Sequence, residues 1–154
     1  TKPGGKNASI DRMMNETATR ETFRIEGETT ITVNDYQNGR IFDDALCYSF
    51  YPIDLHTKDG VVPKHLKRGV VPTIPRGSLI PKGAKNLMVA GRCLSSDRYA
   101  NSAARVQASC MGMGQAAACT AVLAAKSSIT PKEVPLDDIY SLLREHGAIV
   151  PTKS

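Results

Sequence analysis

The run Leu87-Met88-Val89-Ala90 reads as a buried strand, Gly91-Arg92 as the turn ending it, and Cys110-Met111-Gly112-Met113-Gly114-Gln115-Ala116-Ala117-Ala118 as a helix of small residues beyond a polar loop. A strand, a glycine turn and a helix N-terminus together make a place for an anionic or electron-rich ligand, because unpaired N–H groups and the positive dipole end gather there. Arg105 stands just before that helix, where its charge could meet an acid. The four cysteines, Cys47, Cys93, Cys110 and Cys119, have neither C-x-x-C spacing nor a paired histidine motif, so no metal site is read from them. Along one helix, nine steps of about 100° put Cys110 and Cys119 on opposite faces, too far apart to share a metal or a disulfide. Buried thiols acting as small apolar groups are the expectation, with a redox role for Cys93, beside the glycine turn, as the alternative.

The elements that must hold these residues follow from local pattern. Residues before about Thr19 are polar and rich in Gly and Asn, a loose leader in which Ile10-Asp11-Arg12-Met13-Met14 has room for one helical turn. A strand is expected over Glu21–Glu26, another over the β-branched alternation Thr29–Val33, and a short capped helix over Asn34–Asn38 with Gly39 as its stop. Ala45–Tyr51 is a further strand. Between Lys58 and Lys85 four prolines and several glycines exclude a helix and predict short extended pieces, Val70-Val71 and Thr73-Ile74 among them. Thr130-Pro131-Lys132-Glu133 has the form of a capping box, and Leu136, Ile139, Leu142 and Leu143 then mark an amphipathic closing helix stopped by Gly147.

Composition narrows the function classes. At 154 residues, with 41% hydrophobic and 23% charged residues, the chain is sized for one compact or incomplete domain, and 5% aromatics without Trp leave much of the packing to small residues. The net charge of +5 is spread along the chain without interleaved aromatic platforms, which argues against nucleic acid. The densest cluster, Lys64-His65-Leu66-Lys67-Arg68, is short enough to be a solvated loop. Ala103–Ala125 is apolar but interrupted by Arg105 and Gln115 and rich in Ala and Gly, so a helix buried in protein is expected and no membrane association.

Blocks in order along the chain resemble one protein family. In the C-terminal stretch, Asn86–Cys93, Ser102-Ala103-Ala104-Arg105-Val106 and Cys110–Ala118 are similar to the NLLVAGRC, S-x-x-R-V and CMxxGQAAG elements of FAD-dependent oxidoreductases of the glutathione-reductase-like superfamily. Arg20–Ile25 resembles the RET-x-RI strand of that branch and Tyr51–His56 its YPIDIH segment. The G-x-G-x-x-G turn that approaches the FAD pyrophosphate in complete members does not occur in this sequence. The resemblance therefore implies a mixed α/β fold: antiparallel cap-type strands, then the C-terminal strand and long helix of an FAD-binding domain, with its N-terminal Rossmann half absent. The expected division is a leader over 1–18, cap strands over 19–85 and the FAD-domain piece over 86–154.

The same resemblance assigns roles. The helix start points at the pyrimidine side of the flavin, and Val106, Gln107 and Ala108 would supply N–H groups there. Gly91 would permit close approach of the ribityl chain and pyrophosphate. Arg92 stands where much of the superfamily has an acid, either partnering the pyrophosphate or lying plainly on the surface. Gly112, Gly114, Ala116 and Ala117 would let the helix pack against the nucleotide domain. His56 ends a block belonging to the domain that covers the flavin, and a histidine suits proton transfer near neutrality, although a structural bond to Asp54 or a carbonyl accounts for it equally well. Arg20 and Glu21 read as an ion pair in a cap strand. The family's I-P-Y-R-S-L is Ile74-Pro75-Arg76-Gly77-Ser78-Leu79 here, so the family arginine is replaced by Gly77, with Arg76 the residue that could reach the same space.

The expected function is that of a C-terminal part of a flavoprotein oxidoreductase: the parent transfers a hydride between a small organic substrate and FAD, and the isolated chain is inactive and holds no FAD alone. Its partners would be the N-terminal nucleotide-binding half, or further copies of itself through the apolar surface that half would cover. Family and reduced cysteines imply a cytoplasmic location. The competing class is a non-catalytic interaction or assembly module built on the inherited fold.

Overall fold

The computed structural model describes residues 9, 11–12, 19–20, 23–61 and 63–152. Of the expected leader only residues 9, 11 and 12 are described, so its helical turn over Ile10–Met14 falls mostly outside these residues, as do Glu21 and Thr22.

Thr32 opens α1 (Val33–Gln37) with a reciprocal cap: its hydroxyl accepts from the Asp35 N–H, and the Asp35 carboxylate accepts from the Thr32 N–H. The first four N–H groups of a helix lack internal partners, and this exchange satisfies two of the local donors. Asn38 closes the helix and Gly39, at φ +65°, turns the chain away as expected. Strand β1 (Ala45–Tyr48) follows, shorter than the expected Ala45–Tyr51. A two-residue hairpin pairs β2 (His56–Thr57) with β3 (Gly60–Val61), and β4 (Thr73–Pro75) returns antiparallel to β1 with Cys47 opposite Ile74 and Tyr48 opposite Thr73. A 3-10 turn, Arg76–Leu79, follows directly.

Three helices complete the chain: α2 (Arg98–Ala104), α3 (Gln107–Ser127) and α4 (Leu136–Glu145). α3 lies between β1 and α4, and the core where they meet contains Leu46, Ile74, Met113, Ile139 and Leu143, all nearly fully buried. This is the mixed α/β architecture expected, with small antiparallel sheets and a long helix.

Several local expectations are corrected. Phe23–Glu26 and Thr29–Val33 are not strands: the first is tied by the Ile25 N–H to the Cys93 carbonyl (2.9 Å) and by the Glu26 carbonyl accepting from the Lys82 N–H (2.8 Å), and the second makes a β-bridge only at Ile31, parallel to Ser96. Val70-Val71 also lies outside any ladder, beyond the turn at Gly69. Leu87–Ala90 is not a buried strand either. Its Val89 N–H reaches the Leu79 carbonyl (2.8 Å), but no strand flanks it among the described residues, and Leu87 is 53% exposed. A strand exists by pairing, so apolar composition alone cannot make one.

The polar loop before the long helix hides α2, whose N-cap is Asp97: its carboxylate accepts from the Ala100 N–H at 2.8 Å. Only half of the Thr130–Glu133 box forms: the Glu133 carboxylate accepts from both the Thr130 N–H and hydroxyl, but the Glu133 N–H bonds the Thr130 carbonyl, closing a separate turn. Pro135 disfavours helical backbone at Val134, so α4 starts only at Leu136. α3 has the length and apolarity of a membrane span, but it is not enveloped as expected: a third of its most apolar window is buried. Its inner face touches β1 and α4, whereas Met111 and Val122 stand out with Ala118, Ala121 and Ala125.

Candidate functional site

Val106, extended at φ −70° and ψ 154°, is the N-cap of α3 and offers no side-chain cap. The first bond inside the helix runs from the Cys110 N–H to the Val106 carbonyl (3.0 Å), so the N–H groups of Gln107, Ala108 and Ser109 point out of the helix end. Gln107 and Ala108 are exposed, and nothing of their side chains covers that end. The three residues expected from the sequence thus occupy the N-cap and first two helical positions.

Gly91 is buried at φ +90°, a region that L side chains rarely adopt, and a Cβ there would come 3.7 Å from the Cys110 Sγ. The glycine turn therefore rests directly against the first turn of α3. Asn101, fully buried on α2, donates its Nδ2–H to the Arg92 carbonyl at 3.0 Å and ties the turn to the second helix. Arg92 itself is exposed, and its guanidinium donates to the Thr19 carbonyl at 3.2 Å. Burial pushes the Cys110 thiol above its ordinary pKa, against the opposing field of Arg92; its S–H donates to the Arg105 carbonyl at 3.3 Å.

Arg105 fills the break between α2 and α3, 8% exposed, with one guanidinium nitrogen donating to the Asp54 carbonyl at 3.0 Å. Ser102 Oγ accepts from the Asp54 N–H at 3.2 Å, so both peptide groups of Asp54 are held by the α2 end. The Asp54 carboxylate lies 3.3 Å from His56 Nε2, and His56 is exposed. Arg105 and His56, expected as two chemical groups near one ligand, are thus joined through Asp54. Arg105 is turned inward as a clamp, while His56 keeps an open face.

Arg76 faces the segment that leads into α4. Its guanidinium donates to the Val134 carbonyl, near that of Pro131, and clamps the segment before α4. Desolvation lowers its pKa despite the neighbouring Asp44. Position 77 has no room for a longer residue, since a Cβ on Gly77 would lie 2.5 Å from the Thr29 Oγ1. Gly112 rests on Cys47 of β1, with a would-be Cβ 3.6 Å from its Sγ, and Ala116 is buried in this core, so neither is free to meet a separate domain. All four cysteines are free thiols, and Glu21 of the expected ion pair lies outside the described residues.

A family model described as FAD dependent oxidoreductase matches residues 2–145. The chain belongs to that family. No curated protein and no solved structure matches this FAD dependent oxidoreductase chain.

The helix end fits the flavin of such an oxidoreductase. Gln107 and Ala108, both exposed, stand beside a glycine that admits close approach, and Asn101 Oδ1, fully buried next to the turn, has no hydrogen-bond partner. Sequence reading missed Asn101 and Ser109 and the tie of Arg105 to Asp54, because each is defined by a neighbour 9 to 60 positions away, whereas Asp54 reads from sequence as a partner of His56. The Asp97 cap three residues before Ala100 was the available signal for α2.

Proposed function

We propose that this oxidoreductase chain supplies the flavin-facing helix end and part of the substrate cap for hydride transfer between a small organic substrate and FAD. The observation that supports it is the open N-terminus of α3, with Gln107 and Ala108 exposed and Gly91 against the first turn. FAD, when bound, supplies the hydride acceptor or donor. Backbone N–H groups and the positive end of a 21-residue helix favour negative charge at the edge they face, an effect strengthened by exclusion of water.

In this reading the other residues have separate tasks. Arg105 fixes the Tyr51–His56 strip against the helix end through the Asp54 carbonyl, and the Asp54 carboxylate at His56 Nε2 orients the ring for proton transfer at Nδ1. Arg92, on the surface beside Gly91, is the cation available to a pyrophosphate. The adenosine end requires a nucleotide-binding half, which the proposal places on the exposed apolar side of α3 around Met111 and Val122. That same surface supports a second reading, an assembly module that pairs through α3 without catalysis.

An absorption spectrum of the purified chain with its intact mass, followed by FAD titration with and without a nucleotide-binding half, separates the readings. The flavoenzyme role predicts flavin uptake only when that half is added, weakened by Gly91→Ala. Stable association without flavin uptake under either condition would overturn it in favour of the assembly module.

A further inference from the structure

Between α1, α2 and the Ile53–Leu55 strip lies a groove of about 430 Å³. Its walls are Val33, Ile53, Leu55 and Tyr99, its rim carries the amides of Asn34 and Gln37, and Lys64 is the only charged residue among those lining it. The lysine is placed by the fold. Its N–H donates to the Ile53 carbonyl at 2.9 Å and its carbonyl accepts from the Ile53 N–H at 3.0 Å, so its backbone is fixed beside the apolar wall. Tyr99 is 52% exposed.

We infer that this groove binds a small amphipathic carboxylate, an arylalkyl or short alkyl acid, with its apolar part between Leu55 and Tyr99 and its carboxylate at Lys64. Charge selects the class. A lone cation on an apolar wall, with no lining carboxylate to neutralise it, favours a monoanion over a neutral ligand of the same shape, and two side-chain amides can donate to the second carboxylate oxygen. The size excludes a folded partner and suits a ligand of one ring and a short chain. Asp54, between two wall residues, is held by Ser102 and Arg105, so the wall is anchored to the α2–α3 break. The inference goes beyond the flavin role and stands without it.

The test is an ¹H–¹⁵N NMR titration of this chain with 4-phenylbutyrate and, separately, with 4-phenylbutan-1-ol. Saturable shifts are expected at Val33, Leu55, Lys64 and Tyr99, with the acid binding at least about fivefold tighter than the alcohol. Lys64→Gln, an exposed change that leaves the backbone pairing intact, should remove that preference and leave alcohol binding unchanged; Lys126→Gln, on α3, should change neither. Absence of shifts in the groove, equal binding of acid and alcohol, or an acid preference that survives Lys64→Gln would each overturn the proposal.

Discussion

Ser49 Oγ lies 2.8 Å from Ser109 Oγ, and both hydroxyls are buried. The Tyr36 hydroxyl stands 3.0 Å from Ser49 Oγ and donates to the Tyr51 carbonyl at 3.3 Å, so a hydroxyl chain runs from α1 through the end of β1 into the first turn of α3. Ser49→Ala breaks the chain at its centre and leaves the Ser109 hydroxyl buried without this partner. A loss of about 1–3 kcal/mol is expected, read as a lower urea midpoint. The Ser49→Ala/Ser109→Ala pair should cost less than the sum of the single changes, since they share one bond.

Gly77 is required by packing. An added Cβ would meet Thr29 Oγ1 at 2.5 Å in a segment where the Thr29 N–H bonds to the Gly77 carbonyl (3.1 Å). Gly77→Ala should destabilise by about 1–3 kcal/mol. Thr29→Ala in the same chain should recover part of that loss, and chemical denaturation of both variants would show whether the clash is the cause.

At Gly91 the cost has a different origin. The space for a Cβ is adequate, 3.7 Å from Cys110 Sγ, but φ is +90°. Gly91→Ala should cost about 1–3 kcal/mol in backbone strain, and Cys110→Ala should give no rescue. Rescue by the cysteine change, in melts of the single and double variants, would point to crowding instead.

Acid stability carries a signature of Asp35. Burial raises its pKa, but the bonds from Arg40 and Thr32 outweigh that and hold the carboxyl below its ordinary value. A carboxyl whose folded pKa is depressed stabilises the fold above its unfolded pKa of about 3.9, and that contribution is lost as pH falls through the folded value. Asp35→Asn should therefore flatten the stability curve below about pH 4, measured by urea unfolding across pH.

Thiol labelling should rank the cysteines by environment. Burial alone pushes the Cys47 thiol up to about 12, and its side chain is covered by Gly112 of α3. Iodoacetamide applied to the native chain at about pH 8 should spare Cys47 while modifying the partly exposed Cys93, with all four cysteines reacting in denaturant. Peptide mass mapping over time checks the order, and equal rates at Cys47 and Cys93 would mean that α3 does not cover β1.

Local chemistry alone set several elements. Asn38 with Gly39 and the Leu136–Leu143 periodicity specify a helix stop and a helix face from neighbours within one or two turns; α1 ends at that stop but starts at Val33, one residue before the expected Asn34, capped by Thr32 from the segment expected as a strand, and α4 starts at Leu136 after the delay caused by Pro135. The start of α3 at Val106–Gln107 was legible through the family resemblance of Ser102–Val106 and Cys110–Ala118. Tertiary structure decided the rest. Whether Leu87–Ala90 or Thr29–Val33 becomes a strand depends on a partner distant in sequence, and neither segment finds a ladder among the described residues. Likewise Arg105 turns inward to Asp54, Arg76 to Val134 and Asn101 to Arg92, because each charged or amide group must find an acceptor when buried, and only the folded chain determines which carbonyl lies within reach.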